Sequence, residues 1–185
     1  MNNWKWLNWR AVIMINVVMA GFVIFVLPAM SQLSAQLIGS EQALDTVGRY
    51  TTAYLYEVAE IYGSQGRFYY TVIRYTFDII WPLVYWSFLS INLAILLRVE
   101  PRLSRGFLLL LWLPTLALIF DLAENFSITY IFWRYPQPTA ILDQLAPWFS
   151  QLKWLSIGVS FVVVASLFAY RIIRLGRQVW QKHKC

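Results

Sequence analysis

From Ala11 to Leu27 the chain carries one polar side chain, Asn16, and no charge at all. Comparable apolar stretches recur at residues 75–97, 107–133 and 154–171. Each is close to the ~20 residues needed to cross a hydrocarbon layer of ~30 Å. A backbone surrounded by lipid must satisfy its own hydrogen bonds, so a crossing segment is a helix or part of a closed barrel. None of these stretches alternates polar and apolar residues as a barrel strand does. The expected fold class is therefore all-α, an integral membrane four-helix bundle formed as one domain over residues 1–185. Composition agrees: 59% of residues are hydrophobic and 13% charged, against about 45–50% and about 25% in soluble globular chains.

The first run has a rival reading as a secretory signal, because Lys5 and Arg10 precede it and Ala29-Met30-Ser31 resembles a cleavage site. Its about 17 apolar residues exceed a usual signal core of about 7–15, which favours an uncleaved helix ending near Pro28. Basic residues set the orientation. Lys5, Arg10, Arg98, Arg102, Arg105, Arg171, Arg174, Arg177, Lys182 and Lys184 fall on one side. Only Arg49, Arg67, Arg74, Arg134 and Lys153 fall on the other, Lys153 being placed there in the third loop. The bias predicts both termini in the cytoplasm, with the chain in a bacterial inner membrane. The tryptophans at 4, 6, 9, 133, 148 and 154 stand where interfacial anchors belong. The tail from 171 to 185 reads as a topology determinant that also touches anionic lipid.

The outer loop, residues 31–74, has helical signals of its own. Ser40 is a candidate cap for a short helix through Val47. Thr51 or Thr52 is one for a second helix from Ala53 to Tyr62, with Gly63 as its stop. In that second helix Leu55, Val58, Ala59 and Tyr62 share one face, which predicts an amphipathic helix on the membrane surface or lidding the bundle. Gly63-Ser64-Gln65-Gly66 reads as a turn into Arg67.

What the chain lacks excludes several chemistries. Cys185 is its single cysteine and His183, in the basic tail, its single histidine. No disulfide within the chain, thiolate metal site or membrane-embedded imidazole ligand can be built from these. GxSxG, GxxxxGK[ST] and HExxH are all missing from the sequence. No cofactor and no metal is expected, and the positive charge points to lipid rather than nucleic acid. The leaning is towards a chain that is not an enzyme.

The informative residues are the acids inside the apolar runs, each costing about 2.5–3.5 kcal/mol to insert. Asp78 opens the second run, while Asp121, Glu124 and Asn125 share one face of the third by i, i+3, i+4 spacing. A rise of about 1.5 Å per residue puts Asp121 roughly 22 Å and Glu124 roughly 27 Å from the cytoplasmic boundary. Asp78 is some 5 Å below the outer one, so all three converge on the outer third. Arg67 and Arg74 lie at that rim, and Tyr70 and Tyr85 are hydrogen-bond donors within reach. Pro82 should release the carbonyl of Asp78 from its helical bond, and Pro114 is expected to act similarly before Asp121. Two readings stay open. One is an ionic lock pairing Arg67 or Arg74 with Asp78 or Asp121. The other is a working site for a proton, a cation or a lipid headgroup.

Gly66-Arg67 with Tyr70, Asp78-Ile-Ile-Trp-Pro82-Leu-Val-Tyr85 and Asp121-Leu-Ala-Glu124-Asn125 together resemble a group of small, uncharacterised bacterial four-span membrane proteins. Those proteins carry GR…Y, D-x-x-[FW]-P-x-x-Y and D-x-x-E-N patterns. The resemblance covers roughly residues 50 to 130 and implies that the polar cluster belongs to a shared design; it implies no activity. The leading functional expectation is a non-enzymatic scaffold or accessory subunit. The alternative is a lipid- or small-molecule-handling protein, an enzyme included, using the carboxylate/arginine cluster; an ion or proton pathway in an oligomer stands third. Expected partners are membrane lipids, and either another protein or a second copy of the chain.

Overall fold

The computed structural model describes residues 8–40, 44, 49–98 and 109–182. It is an all-α four-helix bundle; among the described residues there is no strand, and four helices are long and apolar enough to cross a membrane. Of the expected helix from Ser40 to Val47 only Ser40 and Leu44 are among the described residues, and the last residues of the tail lie outside them.

Helix α1, Trp9–Gly21, starts where the Asn8 side chain accepts the Ala11 amide at 3.1 Å. It runs through a π-helical turn, Phe22–Val26, into α2, Leu27–Ile38. The sequence places the end of this helix at Pro28, and the structure corrects that. A proline has no N–H for the carbonyl four residues back and crowds it. Here the wider π turn comes just before it, with the Leu27 amide donating to Phe22, so the helix absorbs Pro28 in the first turn of α2. The rod stops at Gly39, whose φ of 75° is the left-handed conformation that closes a helix.

Helix α3, Thr52–Arg74, is capped by the Thr51 hydroxyl, which accepts the Tyr54 amide at 3.2 Å. Its first half is the expected amphipathic helix, and Leu55, Val58, Ala59 and Tyr62 are all buried. It lids the bundle. At Gly63 the backbone breaks (φ 61°, ψ −176°), but the chain then resumes as helix to Arg74 instead of making the expected turn. After Tyr75 and Thr76 comes α4, Phe77–Arg98, followed by α5, Trp112–Arg134, and α6, Leu142–Lys182.

Three further prolines sit in these helices, in two different ways. Pro82 lies inside α4 and releases the Asp78 carbonyl, as expected; the Asn125 amide of α5 donates to it at 3.2 Å. Pro147 does the same in α6, where the freed carbonyl of Asp143 accepts the Thr52 hydroxyl at 2.9 Å. Pro114 falls in the first turn of α5, where a missing N–H costs nothing, so it does not kink the helix as expected.

The buried core is concentrated at one end of the bundle. There α3 and Ile38 of α2 cover Ile128, Ile131 and Phe132 of α5 and Ala146 of α6. Towards the other end, smaller clusters form around Tyr85, Leu89 and Ala117 and around Val12, Ala94 and Ile95. Elsewhere the surface is apolar: Ile13, Val17 and Phe25, Leu116, Ile119 and Phe126, Leu155, Val162 and Phe168 are exposed. That is the pattern of helices solvated by lipid. The Arg171 guanidinium lies over the Trp9 ring, 5.6 Å away, so α1 begins level with residue 171 of α6. At about 1.5 Å per residue, Lys153 is then roughly 27 Å up α6 and Asp78 about 30 Å up α4 from Arg98. Both lie just beneath the cap, and a layer of ~30 Å beginning at Arg98 and Arg171 would end near them.

Candidate functional site

The helices converge on a charged cluster below the cap. At the junction of α3 and α4 the chain turns between an arginine and an aspartate four residues apart, and Arg74 Nη1 contacts Asp78 Oδ2 at 2.8 Å. Arg74 closes the last turn of α3 and Asp78 opens the first turn of α4, so each charge also suits the helix end that carries it. Arg74 Nη1 further donates to Asn125 Oδ1 at 3.0 Å, and its guanidinium lies 4.5 Å over the Tyr70 ring. Asn125 thus reaches Arg74 through its oxygen and the Asp78 carbonyl through its nitrogen. Asp78 is joined to α5 by that bridge.

One turn along α5, the other two acids meet a cation that the sequence places in a loop. Lys153 Nζ is 2.5 Å from Glu124 Oε2 and 3.7 Å from Asp121 Oδ1, with all three side chains buried. Tyr85 donates to Asp121 Oδ2 at 2.9 Å. Tyr50, just before α3, donates to Glu124 Oε1 at 3.1 Å. Burial, and then the neighbouring Glu124 carboxylate, push the Tyr50 hydroxyl above its ordinary value, so it remains a donor.

The expected residues therefore divide. Arg74, Asp78, Asp121, Glu124, Asn125 and Tyr85 come together. Tyr70 lines the same region, with its ring against Phe132 at 4.9 Å and its buried hydroxyl without a partner among the described residues. Arg67 does not join. It donates to the Ala59 carbonyl at 2.6 Å and lies over the Tyr135 ring at 4.4 Å, stitching the two halves of α3 across the Gly63 break. Of the pairings expected for a lock, Arg74 with Asp78 is present, whereas Asp121 pairs with Lys153 and not with an arginine.

Lys153 and Tyr50 are the residues that sequence reasoning missed. Lys153 had a signal. Ala146, Ser150, Lys153, Ser156 and Ser160 recur at three- and four-residue spacing and are all buried, so they mark one inward face of α6 beginning well before Trp154. Tyr50 had none, because nothing local ties it to Glu124.

Beside the cluster is a cavity of about 720 Å³ between α1–α2 on one side and α4 and α6 on the other. Arg74, Asp78, Asp121 and Lys153 form its charged end, Ser31 and Ser34 of α2 line it too, and Val23, Trp81 and Phe161 make an apolar wall. Its volume falls in the ~300–1,000 Å³ range of ligand sites. Among the described residues no three potential metal-binding side chains converge. No family model, no curated protein and no solved structure matches this chain.

Proposed function

We propose that this chain is a membrane-embedded binding protein for an amphiphile, holding a polar headgroup against the charged cluster and part of an acyl chain along the apolar wall. The observation that carries the reading is the cavity, charged at one end and apolar along its flank; the helix rise supports a place for it near the edge of the hydrocarbon layer. A scaffold or accessory subunit, the leading expectation from sequence, explains the Arg74–Asp78 pair as a lock. It does not explain a cavity of this size beside the lock. The charged groups are engaged with one another, which suits holding a headgroup better than attacking a bond, so the reading is binding and not catalysis.

The cavity gives the test. Val23 lies on its wall and is itself exposed, so Val23→Trp fills the space without disturbing the core. Lipid analysis of the purified protein should find about one tightly held lipid per chain in the parent and a several-fold loss in the variant. Equal lipid content in both would overturn the proposal.

The distribution of basic residues supports placing the cap outside a bacterial cytoplasmic membrane and both termini inside. Lys153 leaves the outer loop in this account, which sharpens the bias. A membrane-impermeant maleimide should label Ser64→Cys in a Cys185→Ser background on intact spheroplasts, and in the parent chain should reach Cys185 only after permeabilisation. The reverse pattern would invert the topology.

A further inference from the structure

We infer that the headgroup bound at the charged end carries an ammonium group, and that the site selects phosphoethanolamine-type lipids over anionic glycerol-phosphate lipids. This rests on the amphiphile-binding reading and adds the ligand class. The cluster has three carboxylates, Asp78, Asp121 and Glu124, against two cations, Arg74 and Lys153. Arg74 is committed to Asp78, to Asn125 and to the face of Tyr70. The ammonium of Lys153 sits on Glu124 and is 3.7 Å from Asp121, too far for a hydrogen bond. Asp121 therefore shares Lys153 with Glu124, at the longer of the two distances, and takes its hydrogen bond from a phenol, Tyr85, so the three carboxylates are left one positive charge short. Asp121 also lines the cavity.

A surplus negative charge at that depth is costly. An ammonium donated by the ligand balances it. A second observation concerns the other half of such a headgroup. Tyr70 lines the same cavity, and its hydroxyl, buried behind that wall, has no partner among the described residues. It is a donor of the kind a phosphate oxygen accepts, and Ser31 and Ser34 add hydroxyls across the space. A headgroup of net negative charge would instead place its charge beside Asp121, where Arg74 and Lys153 are already paired with carboxylates.

The experiment is competitive retention of lipid by the full-length protein in detergent, read by native mass spectrometry. Phosphatidylethanolamine and phosphatidylglycerol of matched acyl chains are offered in equal amounts, with glycerophosphoethanolamine as a soluble competitor. The expected result is retention of phosphatidylethanolamine by about tenfold, since a close charge pair in a water-poor site is worth at least that. Asp121→Asn should bring the preference to about parity while total bound lipid stays constant. Ser31→Lys, at an exposed position on the opposite wall, should turn the preference towards phosphatidylglycerol, and it keeps the test open if Asp121→Asn does not fold. Displacement by the soluble headgroup alone would assign the selectivity to the headgroup, and no displacement would assign it to headgroup and chain together; either supports the inference if the preference holds. Equal retention of the two lipids in the parent, or a preference that survives Asp121→Asn, overturns the ligand class and leaves the binding reading standing. Retention of neither lipid, with Val23→Trp indistinguishable from the parent, overturns the binding reading itself.

Discussion

Lys153→Met should be the most damaging single substitution in the chain outside its apolar core. It leaves Glu124 and Asp121 buried side by side with no cation, their remaining partners being the hydroxyls of Tyr50 and Tyr85. Breaking a buried pair by removing one partner costs about 3–5 kcal/mol. Restoring the balance should recover much of it, because Glu124→Gln in the same chain removes the stranded charge and keeps an oxygen for Tyr50 to donate to. The measurement is the thermal midpoint in detergent for the parent, both single variants and the double. If Lys153→Met melts with the parent, the contact with Glu124 is not an energetic one. Asp121→Asn is a different case. Had an arginine been its counter-ion, neutralising Asp121 would strand that arginine. With Lys153 held by Glu124 and an amide oxygen still available to Tyr85, its effect on stability should be small.

The second large effect is expected at Gly66. A Cβ built there would stand 2.8 Å from the Ile38 carbonyl oxygen and 3.0 Å from Tyr62 Cβ. The first of these is backbone and cannot swing away, so Gly66→Ala must push α2 and α3 apart. Overpacking of this kind costs about 1–3 kcal/mol. Gly158→Ala is the control, because nothing lies within 4 Å of its added Cβ and alanine is the better helix former. A drop in midpoint for Gly66→Ala with none for Gly158→Ala is the expected outcome. Equal behaviour would mean that the α2–α3 contact gives way without cost.

The four crossings were readable because lipid imposes one requirement on every residue that meets it, and hydropathy reports that requirement directly. The ends of the helices were not. The start of α6 and the length of α2 are set by protein covering protein, with Ala146 and Ile38 buried under α3, and an apolar-run count does not see that. Lys153 was misplaced for the same reason: residues 142–153 look like a loop when judged by affinity for lipid alone. Asp78, Asp121, Glu124 and Asn125 were readable because buried charge is too costly to be incidental. Their partners were not, since Arg67 and Arg74 have equal claims in sequence and only the break at Gly63 turns Arg67 away. The bond between Asn125 and the Asp78 carbonyl was half legible: Pro82 marks the acceptor, while the donor is fixed by how α5 lies against α4.

The prolines at 82 and 147 bear on how such a bundle finds its register. Helices in lipid have little to hold them at one height, because an apolar side chain gains almost as much from an acyl chain as from a neighbouring helix. A carbonyl released by proline is different, since it exists at a single height on one face and must be met by a donor or left bare in an apolar medium. Asn125 finds such a mark on α4, and Thr52 finds one at the head of α6. The two gaps act as index notches. Sliding either helix by one residue would move the donor about 1.5 Å along the axis and off its acceptor, so what each helix gives up in its own bonding returns as alignment of the bundle.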